Sequence, residues 1–315
     1  MTALDLPWKL YSMEMDAAGR ILGKFFERNG YELERINPVD AAAELWKYEP
    51  EGFSRYGNPL AAYCKKETVE EAVKSAIKPK DERALVVYGS GSFHHYTYGL
   101  SRIAQRSSNE FTYIHIDHHN DWFGSSIDPD LICGNFVGHI ARNTANKGII
   151  HPKNIIFIGS KPDHYDFIND ATKEHTISFK ENQIRDDNFR EIRKVLADNP
   201  EDAYLSIDLD VMADEEARTS YSRGNLRKKE LLYIVDMVKS SKNLIGADVL
   251  GYCITLKDAD IKNKWEARFN FLNRFLQRKK TLQLYKSIVD IIIDKNKGGN
   301  VTNVTDIPSK NSGGN

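Results

Sequence analysis

The stretch of sequence that decides the fold reads Tyr113-Ile114-His115-Ile116-Asp117-His118-His119-Asn120-Asp121. It begins with β-branched and aromatic residues, which are typical of a buried strand, and it ends in polar side chains. Asp117, His119 and Asp121 are spaced two apart, so they converge on one point if the chain curls where the strand ends. Two carboxylates around an imidazole suit a divalent ion such as manganese, iron, cobalt or zinc. The alternative is a polar strand-to-helix turn with capping aspartates, and this stretch alone does not separate the two.

The bulk properties of the chain indicate a globular protein of a reducing compartment. Its 315 residues, of which 41% are hydrophobic, are enough to enclose a sizeable core. The formal net charge of −1 predicts neither a nucleic-acid nor a membrane partner, and no membrane-spanning apolar run or signal peptide is visible. Cys64, Cys133 and Cys253 have no motif spacing, and we interpret them as reduced thiols of a cytoplasmic protein. The oligomeric state is left open, a homo-oligomer included.

Short apolar runs alternate with amphipathic segments from residue 84 onward. The runs predict strands at residues 84–88, 111–116, 154–158, 203–207 and 244–250, and the segments predict helices at 96–106, 135–145, 186–197 and 228–238. This alternation predicts an α/β fold, with a three-layer α/β/α architecture in which a mainly parallel sheet lies between helices. Ligands of such a sheet bind at the carboxyl ends of its strands.

The regions on either side give fewer signals. The predicted elements are helices at 17–28, near 42–46 and at 68–77 (with Thr68 as N-cap), a turn at 37–40, and one or two amphipathic helices at 264–295. A stripe of aromatic and leucine side chains between residues 269 and 276 is expected to pack in the core. Residues 298–315 are rich in Gly, Asn, Ser and Thr and predict a disordered tail. Residues 1–297 are expected to form a single domain.

Residues of the types that bind metal ions follow three of the predicted strands. His94 and His95 follow the first strand, Asp117, His119 and Asp121 follow the second, and Asp208 and Asp210 follow the strand at 203–207. Because these strand ends lie on one edge of a parallel sheet, the side chains are expected to meet. Four carboxylates and two imidazoles suit two ions that share bridging carboxylates, and such a pair lowers the pKa of a shared water to near neutrality.

Each piece also has a plain structural interpretation. His94 or His95 alone is more often a core or surface histidine, and Asp208-x-Asp210 alone is more often a helix-capping turn. Gly89 and Gly91 match part of a phosphate loop in a nucleotide-binding domain, but the rest of that motif is missing. The joint occurrence of these residues at matching strand ends favours the metal site.

Three of these segments resemble motifs of the ureohydrolase superfamily, the group of arginase, agmatinase and formiminoglutamase. Asp117-x-His119-x-Asp121 and Ser206-x-Asp208-x-Asp210 match two motifs in full, and Ser92-Phe93-His94-His95 matches Gly-Gly-Asp-His-Ser loosely. The resemblance implies an arginase-like fold and a site for two manganese ions, or other divalent ions. It assigns His94 and Asp121 to one ion and His119 and Asp210 to the other, with Asp117 and Asp208 as bridges.

The resemblance also implies a mechanism. A hydroxide that bridges the two ions attacks the guanidinium carbon, and Asp121 holds that hydroxide and passes its proton to the leaving amine. Val137 stands where the family has its proton-shuttle histidine, so His139, two residues further on, is the candidate for that role. Histone-deacetylase relatives of this fold use one metal and lack the full ligand set, so they fit less well.

The family's contacts to a free amino acid are not retained. Phe123 replaces the asparagine that holds the carboxylate, and Gly251 replaces the glutamate that binds the guanidinium, whereas Asn135 is kept. These three positions and Trp122 are the candidates for substrate binding. The aromatic residues Trp122, Phe123, Tyr96 and Tyr252 are candidates to line an open groove, although ordinary packing is at least as good an interpretation.

The departures point to an arginine side chain within a peptide as the substrate. In this respect the chain resembles the peptide arginases, which convert arginine residues of precursor peptides into ornithine and release urea. The guanidinium still needs an acidic partner, and the candidates in loops are Asp128, Asp130, Asp163 and Asp214. The rival interpretations are a hydrolase of another small guanidino, amidine or amide substrate, as agmatinase or formiminoglutamase is, a metal-binding protein without catalysis, and a nucleotide-binding domain.

Three further histidines are not expected to bind the ions. His118 is out of phase with the ligand set, and His115 lies too early, inside the strand. His94 rather than His95 aligns with the family's ligand, although the adjacent pair leaves the register ambiguous by one residue.

Overall fold

One parallel sheet forms the centre of the protein in the computed structural model, which describes residues 6–38, 65–77, 83–105, 111–122, 130–142, 152–160, 176–187, 189–198, 202–219, 221, 224–253 and 264–293. Its strands are β1 (Trp8–Met13), β2 (Leu33–Ile36), β3 (Arg83–Tyr88), β4 (Phe111–Ile116), β5 (Pro152–Ile158), β6 (Thr176–Phe179), β7 (Asp202–Asp208) and β8 (Asn243–Leu250). They lie in the order β2-β1-β3-β8-β7-β4-β5-β6, and every neighbouring pair is parallel.

Helices connect the strands and cover both faces of the sheet. The described helices are α1 (Ala17–Arg28), α2 (Lys66–Ala76), α3 (Tyr96–Ala104), α4 (Phe136–Arg142), α5 (Glu181–Asp186), α6 (Arg190–Asp198), α7 (Lys228–Ser241) and α8 (Lys264–Ile293). No helix among the described residues is long and apolar enough to cross a membrane.

The sheet separates two hydrophobic cores, because successive side chains of a strand point to opposite faces. Leu85 and Val87 of β3 belong to one core, and Val86 and Tyr88 belong to the other. Helices α1, α7 and α8 contribute side chains to the first core, and α2, α3 and α4 contribute to the second. The predicted α/β class and its three-layer architecture are confirmed.

The five predicted strands form the contiguous middle of the sheet. All five are present, as β3, β4, β5, β7 and β8, with bounds within two residues of the predicted ones. The pattern missed β1, β2 and β6. Of these, β2 and β6 are the edge strands. Each has four residues, of which only one is buried, so they carry too few buried apolar residues for a strand signal.

Two helix predictions are corrected by the structure. The helix predicted at 186–197 begins only at Arg190, as α6, because the buried Phe189 has a φ of 64° and interrupts the helical backbone. The preceding helix α5, which ends at Asp186, was not predicted. Thr68 is not an N-cap, because α2 begins at Lys66, directly after Lys65 in an extended conformation, and Glu67 is the acidic residue of its first turn.

The C-terminal segment is one helix over its described length, α8. Phe275 and Leu276 are exposed on it (56% and 47%), so the prediction that this stripe packs in the core is wrong for these two residues. The predicted helix near 42–46 and the predicted tail at 298–315 lie outside the described residues.

Candidate metal centre

The carboxyl ends of β3, β7 and β4 bring the predicted metal ligands to one edge of the sheet. His94 follows β3 after a short 3₁₀ turn, Gly91–Phe93, which Ser90 caps through its side chain. Asp117 follows β4 directly, and Asp208 is the last residue of β7. A second 3₁₀ turn, Leu209–Val211, places Asp210 beside it. The strands are parallel and β7 pairs with β4, so all these side chains meet at one edge.

One cluster of possible ligand atoms is centred on His94. Its Nδ1 lies 3.0 Å from Asp121 Oδ2, 3.3 Å from Asp117 Oδ2 and 3.6 Å from Asp208 Oδ2. The imidazole Nε2 lies 3.0 Å from Ser206 Oγ, which in turn donates to Asp248 Oδ1. This chain of contacts leaves Nδ1 as the free metal-binding nitrogen, because a ligand histidine is oriented by the partner of its other nitrogen.

The second cluster is centred on His119. Its Nδ1 lies 2.9 Å from Asp210 Oδ2 and 3.5 Å from Asp117 Oδ1. Asp117 therefore presents one oxygen to each cluster, which is the geometry of a bridging carboxylate. Asp208 differs: its Oδ2 faces His94, while its Oδ1 accepts a hydrogen bond from the backbone of Asp210.

Asp121, the last of the predicted ligands that follow β4, has a left-handed backbone conformation. Asp121 has a φ of 47°, a conformation that side chains other than glycine adopt uncommonly. The turn before it is stabilised by hydrogen bonds from the backbone of His119 to Asp117 Oδ1 and from the backbone of Trp122 to Asn120 Oδ1. The curl brings Asp121 back beside Asp117, as the spacing predicts.

The electrostatics of the centre are those of buried carboxylates that repel one another. Burial and the neighbouring Asp117 raise the pKa of Asp208 to about 7, and burial, Asp117 and Asp208 raise the pKa of Asp210 well above its ordinary value. Burial opposes ionisation of Asp117 too, but the surrounding histidines outweigh it and hold the pKa of Asp117 well below its usual range. The centre has more carboxylates than histidines, and carboxylate oxygens are hard donors that bind divalent cations. The residues present therefore suit two such ions.

The histidines of both clusters have high proton affinity. Burial lowers the pKa of His119, but its contacts with Asp117 and Asp210 outweigh burial and raise the pKa to about 12. The pKa of His94 is likewise raised well above its usual value, because hydrogen bonds to Asp117 and Asp121 outweigh its burial. Metal ions must therefore compete with protons for these ligands.

This competition predicts opposite pH trends for the metal-free and metal-loaded protein. A group whose pKa is raised in the folded state loses its contribution to stability as pH rises from its unfolded to its folded pKa. For Asp208 this loss is complete at about pH 7, and for His119 it continues from the ordinary pKa of histidine toward about 12. The metal-free protein is therefore expected to become less stable between about pH 5 and about pH 8. Thermal unfolding at both pH values, with and without manganese, should show the larger metal-induced rise in Tm at the higher pH. An equal or smaller rise at the higher pH would contradict this electrostatic description.

The centre opens into a cavity of about 190 Å³. Its described lining comprises Gly91, His94, Asp117, His119, Asn120, Asp121, Cys133, Gly134, Asp208, Asp210 and Tyr221. All six predicted metal ligands are among these residues. Their assignment as ligands remains a prediction, which the geometry makes specific.

Tyr221 and Cys133 line the cavity beside the clusters, and neither was predicted as a site residue. The Tyr221 hydroxyl lies 3.0 Å from Ser92 Oγ and 3.7 Å from Cys133 Sγ. Cys133 lies two residues before Asn135, a position that the family resemblance marks for substrate binding, so its place in the pocket could have been inferred. Tyr221 belongs to no recognised motif. Its contacts in the site are with residues far away in the sequence, so no local pattern indicates it.

The predicted substrate contacts that the structure describes are buried residues outside the described lining of the cavity, unlike the predicted metal ligands. Trp122 is buried and packs against Phe157, and Tyr96 and Tyr252 are fully buried, so a groove rim made of these side chains does not fit the structure. Asn135 is also buried, where it accepts from the backbone of Ile132 and donates to the backbone of Asp130, as a turn-stabilising residue does. Phe123 lies outside the described residues.

Gly251 has a structural reason to be glycine. Its φ is 106°, and a Cβ there would lie 2.2 Å from Asp208 Oδ1 and 2.8 Å from the backbone nitrogen of Leu209. Any side chain at this position would displace a proposed bridging carboxylate. The position therefore leaves space for Asp208, and its role as a substrate contact stays a prediction.

The other candidate residues do not belong to the described lining of the cavity. His139 is buried on α4, and His139, Asp130 and Asp214 are not among the lining residues. Asp128 and Asp163 lie outside the described part of the chain.

The three histidines set aside as ligands fall into two groups. His95 and His118 do not line the cavity, and the His118 ring faces Glu181. His115 does lie inside β4, but its Nε2 is 3.3 Å from Asp117 Oδ2, so the reasoning that it lies too early to reach the cluster is wrong.

Comparisons with known proteins give a consistent result. A family model described as the arginase family matches residues 31–259. Similar solved structures include an arginase from Entamoeba histolytica in complex with L-ornithine (14% identity, TM-score 0.57, 93% of this chain and 99% of that one) and an arginase from Bacillus subtilis (17%, 0.57, 92% and 99%). A hypothetical agmatinase from Burkholderia thailandensis is also similar (18%, 0.54, 94% and 88%). None of the curated protein sequences matches the chain. At these identities the solved structures establish the fold alone, whereas the family match spans most of the sequence, and the chain belongs to the arginase family.

Proposed function

We propose that this protein is a manganese-dependent ureohydrolase that cleaves a guanidino C–N bond. Its substrate is an arginine residue within a peptide, which becomes ornithine with release of urea. The observation that carries this proposal is the pair of imidazole–carboxylate clusters that share Asp117 on the wall of one cavity. When bound, two divalent ions lower the pKa of a water and so supply hydroxide at neutral pH.

The protein's own residues supply proton transfer and the shape of the pocket. Asp121 Oδ2 lies beside His94 Nδ1 at 3.0 Å, and Asp121 lines the cavity. We assign Asp121 to hold the proton of the attacking nucleophile and to deliver it to the leaving amine. General acid–base help of this kind contributes roughly 10²–10⁴ in rate. His139 does not line the cavity, so proton transfer is assigned to Asp121 alone.

The lining of the cavity supports a substrate without a free carboxylate. Among the described residues that line it, none is lysine or arginine, so no cation is in place there to pair with the carboxylate of a free amino acid. An arginine residue within a peptide has no such carboxylate, because its carbonyl group is part of an amide. The remote parts of a peptide can instead supply binding energy that promotes the reaction at the side chain.

The same observation favours a second candidate, a small amidine or guanidino compound without a carboxylate, such as agmatine. A hypothetical agmatinase is among the proteins of similar fold. A formiminoglutamase-like amidine hydrolase is a further form of this alternative, although its substrate carries carboxylates that the described lining does not match.

Kinetics on three kinds of substrate separate these functions. Manganese-loaded protein should release urea from arginine-containing peptides with a higher kcat/KM than from free arginine or agmatine. Each converted peptide should lose a mass equal to urea minus water. A higher kcat/KM on agmatine would select the small-molecule function, and a higher value on free arginine would contradict the proposed loss of carboxylate recognition.

Tyr221 is expected to position the substrate in this pocket. Replacing Tyr221 with phenylalanine removes the hydroxyl that contacts Ser92 and Cys133 but keeps the ring. We expect kcat/KM to fall about tenfold, the equivalent of one hydrogen bond, with the number of bound metal ions unchanged. Titration of metal content together with steady-state kinetics would check this, with Ser92→Ala as the matched variant that removes the partner hydroxyl. Wild-type kinetics in Tyr221→Phe would show that the hydroxyl has no role in the reaction.

A further inference from the structure

His115 is a buried histidine that the proposed ligand set does not use. It lies in β4, two residues before Asp117, and is 1% exposed. Its ring stacks on the ring of His94 with 5.2 Å between centroids, and the edge of Phe157 packs against it. The side chain is therefore held beside the first cluster by its neighbours on the sheet.

The two ring nitrogens of His115 have different surroundings. Nδ1 lies 3.3 Å from the hydroxyl of Tyr113. Nε2 lies 3.3 Å from Asp117 Oδ2 and 3.8 Å from Asp121 Oδ2, and within the described residues it has no partner with full hydrogen-bond geometry. A buried polar nitrogen without such a partner is costly, so its position beside two carboxylates calls for an explanation.

The contact with Tyr113 is the observation from which we assign the tautomer of the ring. The Tyr113 hydroxyl lies 3.3 Å from Nδ1, and we assign it as the donor of this hydrogen bond. In a neutral imidazole, an accepting Nδ1 leaves the proton on Nε2. An Nε2 that carries a proton donates a hydrogen bond and cannot bind a metal ion.

We propose that His115 is a positioning residue of the metal centre, which holds the Asp117 and Asp121 carboxylates through its Nε2–H. A carboxylate oxygen has two lone pairs, so Asp117 Oδ2 can accept from His115 and still bind an ion. The Tyr113 hydroxyl fixes the tautomer, and the stack with His94 fixes the plane of the ring. This inference rests on the metal centre of the proposed function and does not depend on which substrate is used.

Matched substitutions separate positioning from packing. His115→Phe keeps an aromatic ring without a donor, and His115→Gln keeps an N–H donor without the ring. Tyr113→Phe removes the hydroxyl that sets the tautomer. We expect His115→Phe to bind manganese about 10–100-fold more weakly at one of the two sites, as the loss of such partners does in other metal centres. His115→Gln should retain most of the affinity, and Tyr113→Phe should lose part of it.

Calorimetric titration of each metal-free protein with manganese measures these affinities. Pulsed electron paramagnetic resonance of the loaded proteins counts the coordinated nitrogens, and thermal unfolding without metal checks the fold. Two sites of wild-type affinity in His115→Phe would overturn the inference while leaving the proposed function intact. Loss of one coordinated nitrogen in His115→Gln would also overturn it, since His115 would then be a ligand. If His115→Phe does not fold, equal affinity in Tyr113→Phe and wild type would be the contradicting result. A wild-type protein that binds no manganese would refute the proposed function itself.

Discussion

Replacing Asp117 with asparagine is expected to remove metal binding and urea release together. Asp117 is the residue whose two oxygens face both clusters, Oδ2 toward His94 and Oδ1 toward His119. An amide offers one oxygen and no charge, so it cannot bridge two cations. Without the ions, hydroxide is no longer generated at neutral pH, and we expect the rate to fall by at least roughly 10³-fold.

Metal analysis after loading with manganese, followed by a urea assay, measures this effect. Asp198→Asn makes the same chemical change on an exposed helix end and should keep wild-type metal content and activity. An Asp117→Asn protein that holds two ions, or that still releases urea at a comparable rate, would remove Asp117 as the bridge.

Substituting Gly251 is expected to destabilise the protein and disrupt the metal centre. A Cβ at this residue would lie 2.2 Å from Asp208 Oδ1, and its φ of 106° is strained for any other residue. Gly251→Ala should cost about 1–3 kcal/mol from backbone strain alone. It should also move Asp208, so manganese affinity falls in the same variant.

The more informative variant is Gly251→Glu, which places glutamate where the family binds guanidinium. We expect it to lose metal ions without improving activity on free arginine, because the side chain has no room beside Asp208. Thermal unfolding and metal content are the readouts. Gly134→Ala is the matched control, since Gly134 also lines the cavity but a Cβ there would have no atom within 4 Å. A Gly251→Ala protein with wild-type Tm and metal content would show that a Cβ at this position does not disturb Asp208.

Local spacing was enough to predict that the side chains after this strand converge. Asp117, His119 and Asp121 are spaced two apart, and the chain turns after β4 with Asp121 in a left-handed conformation, which brings the last of them back toward the first. The apolar runs at 111–116 and 203–207 marked two neighbouring buried strands, so the meeting of their ends followed from parallel pairing.

The rest of the site depends on three-dimensional contacts that the spacing of residues along the sequence does not reveal. His115 shares the period of the ligand set, but sequence alone does not show that its ring spans the roughly 6.6 Å of two strand residues to reach Asp117. Tyr221 meets Ser92 across 129 positions of sequence, so no local pattern indicates it. Trp122 was a groove candidate because it follows a ligand, yet its burial was decided by the packing of Phe157 on the neighbouring strand.

The mass of an arginine-containing peptide after incubation with manganese-loaded protein tests the proposed function directly. The proposed function predicts that the arginine residue loses the mass of urea minus water, that one urea appears for each converted peptide, and that Asp117→Asn abolishes both. A protein that binds two manganese ions yet leaves the peptide unchanged and releases no urea would contradict the proposed function.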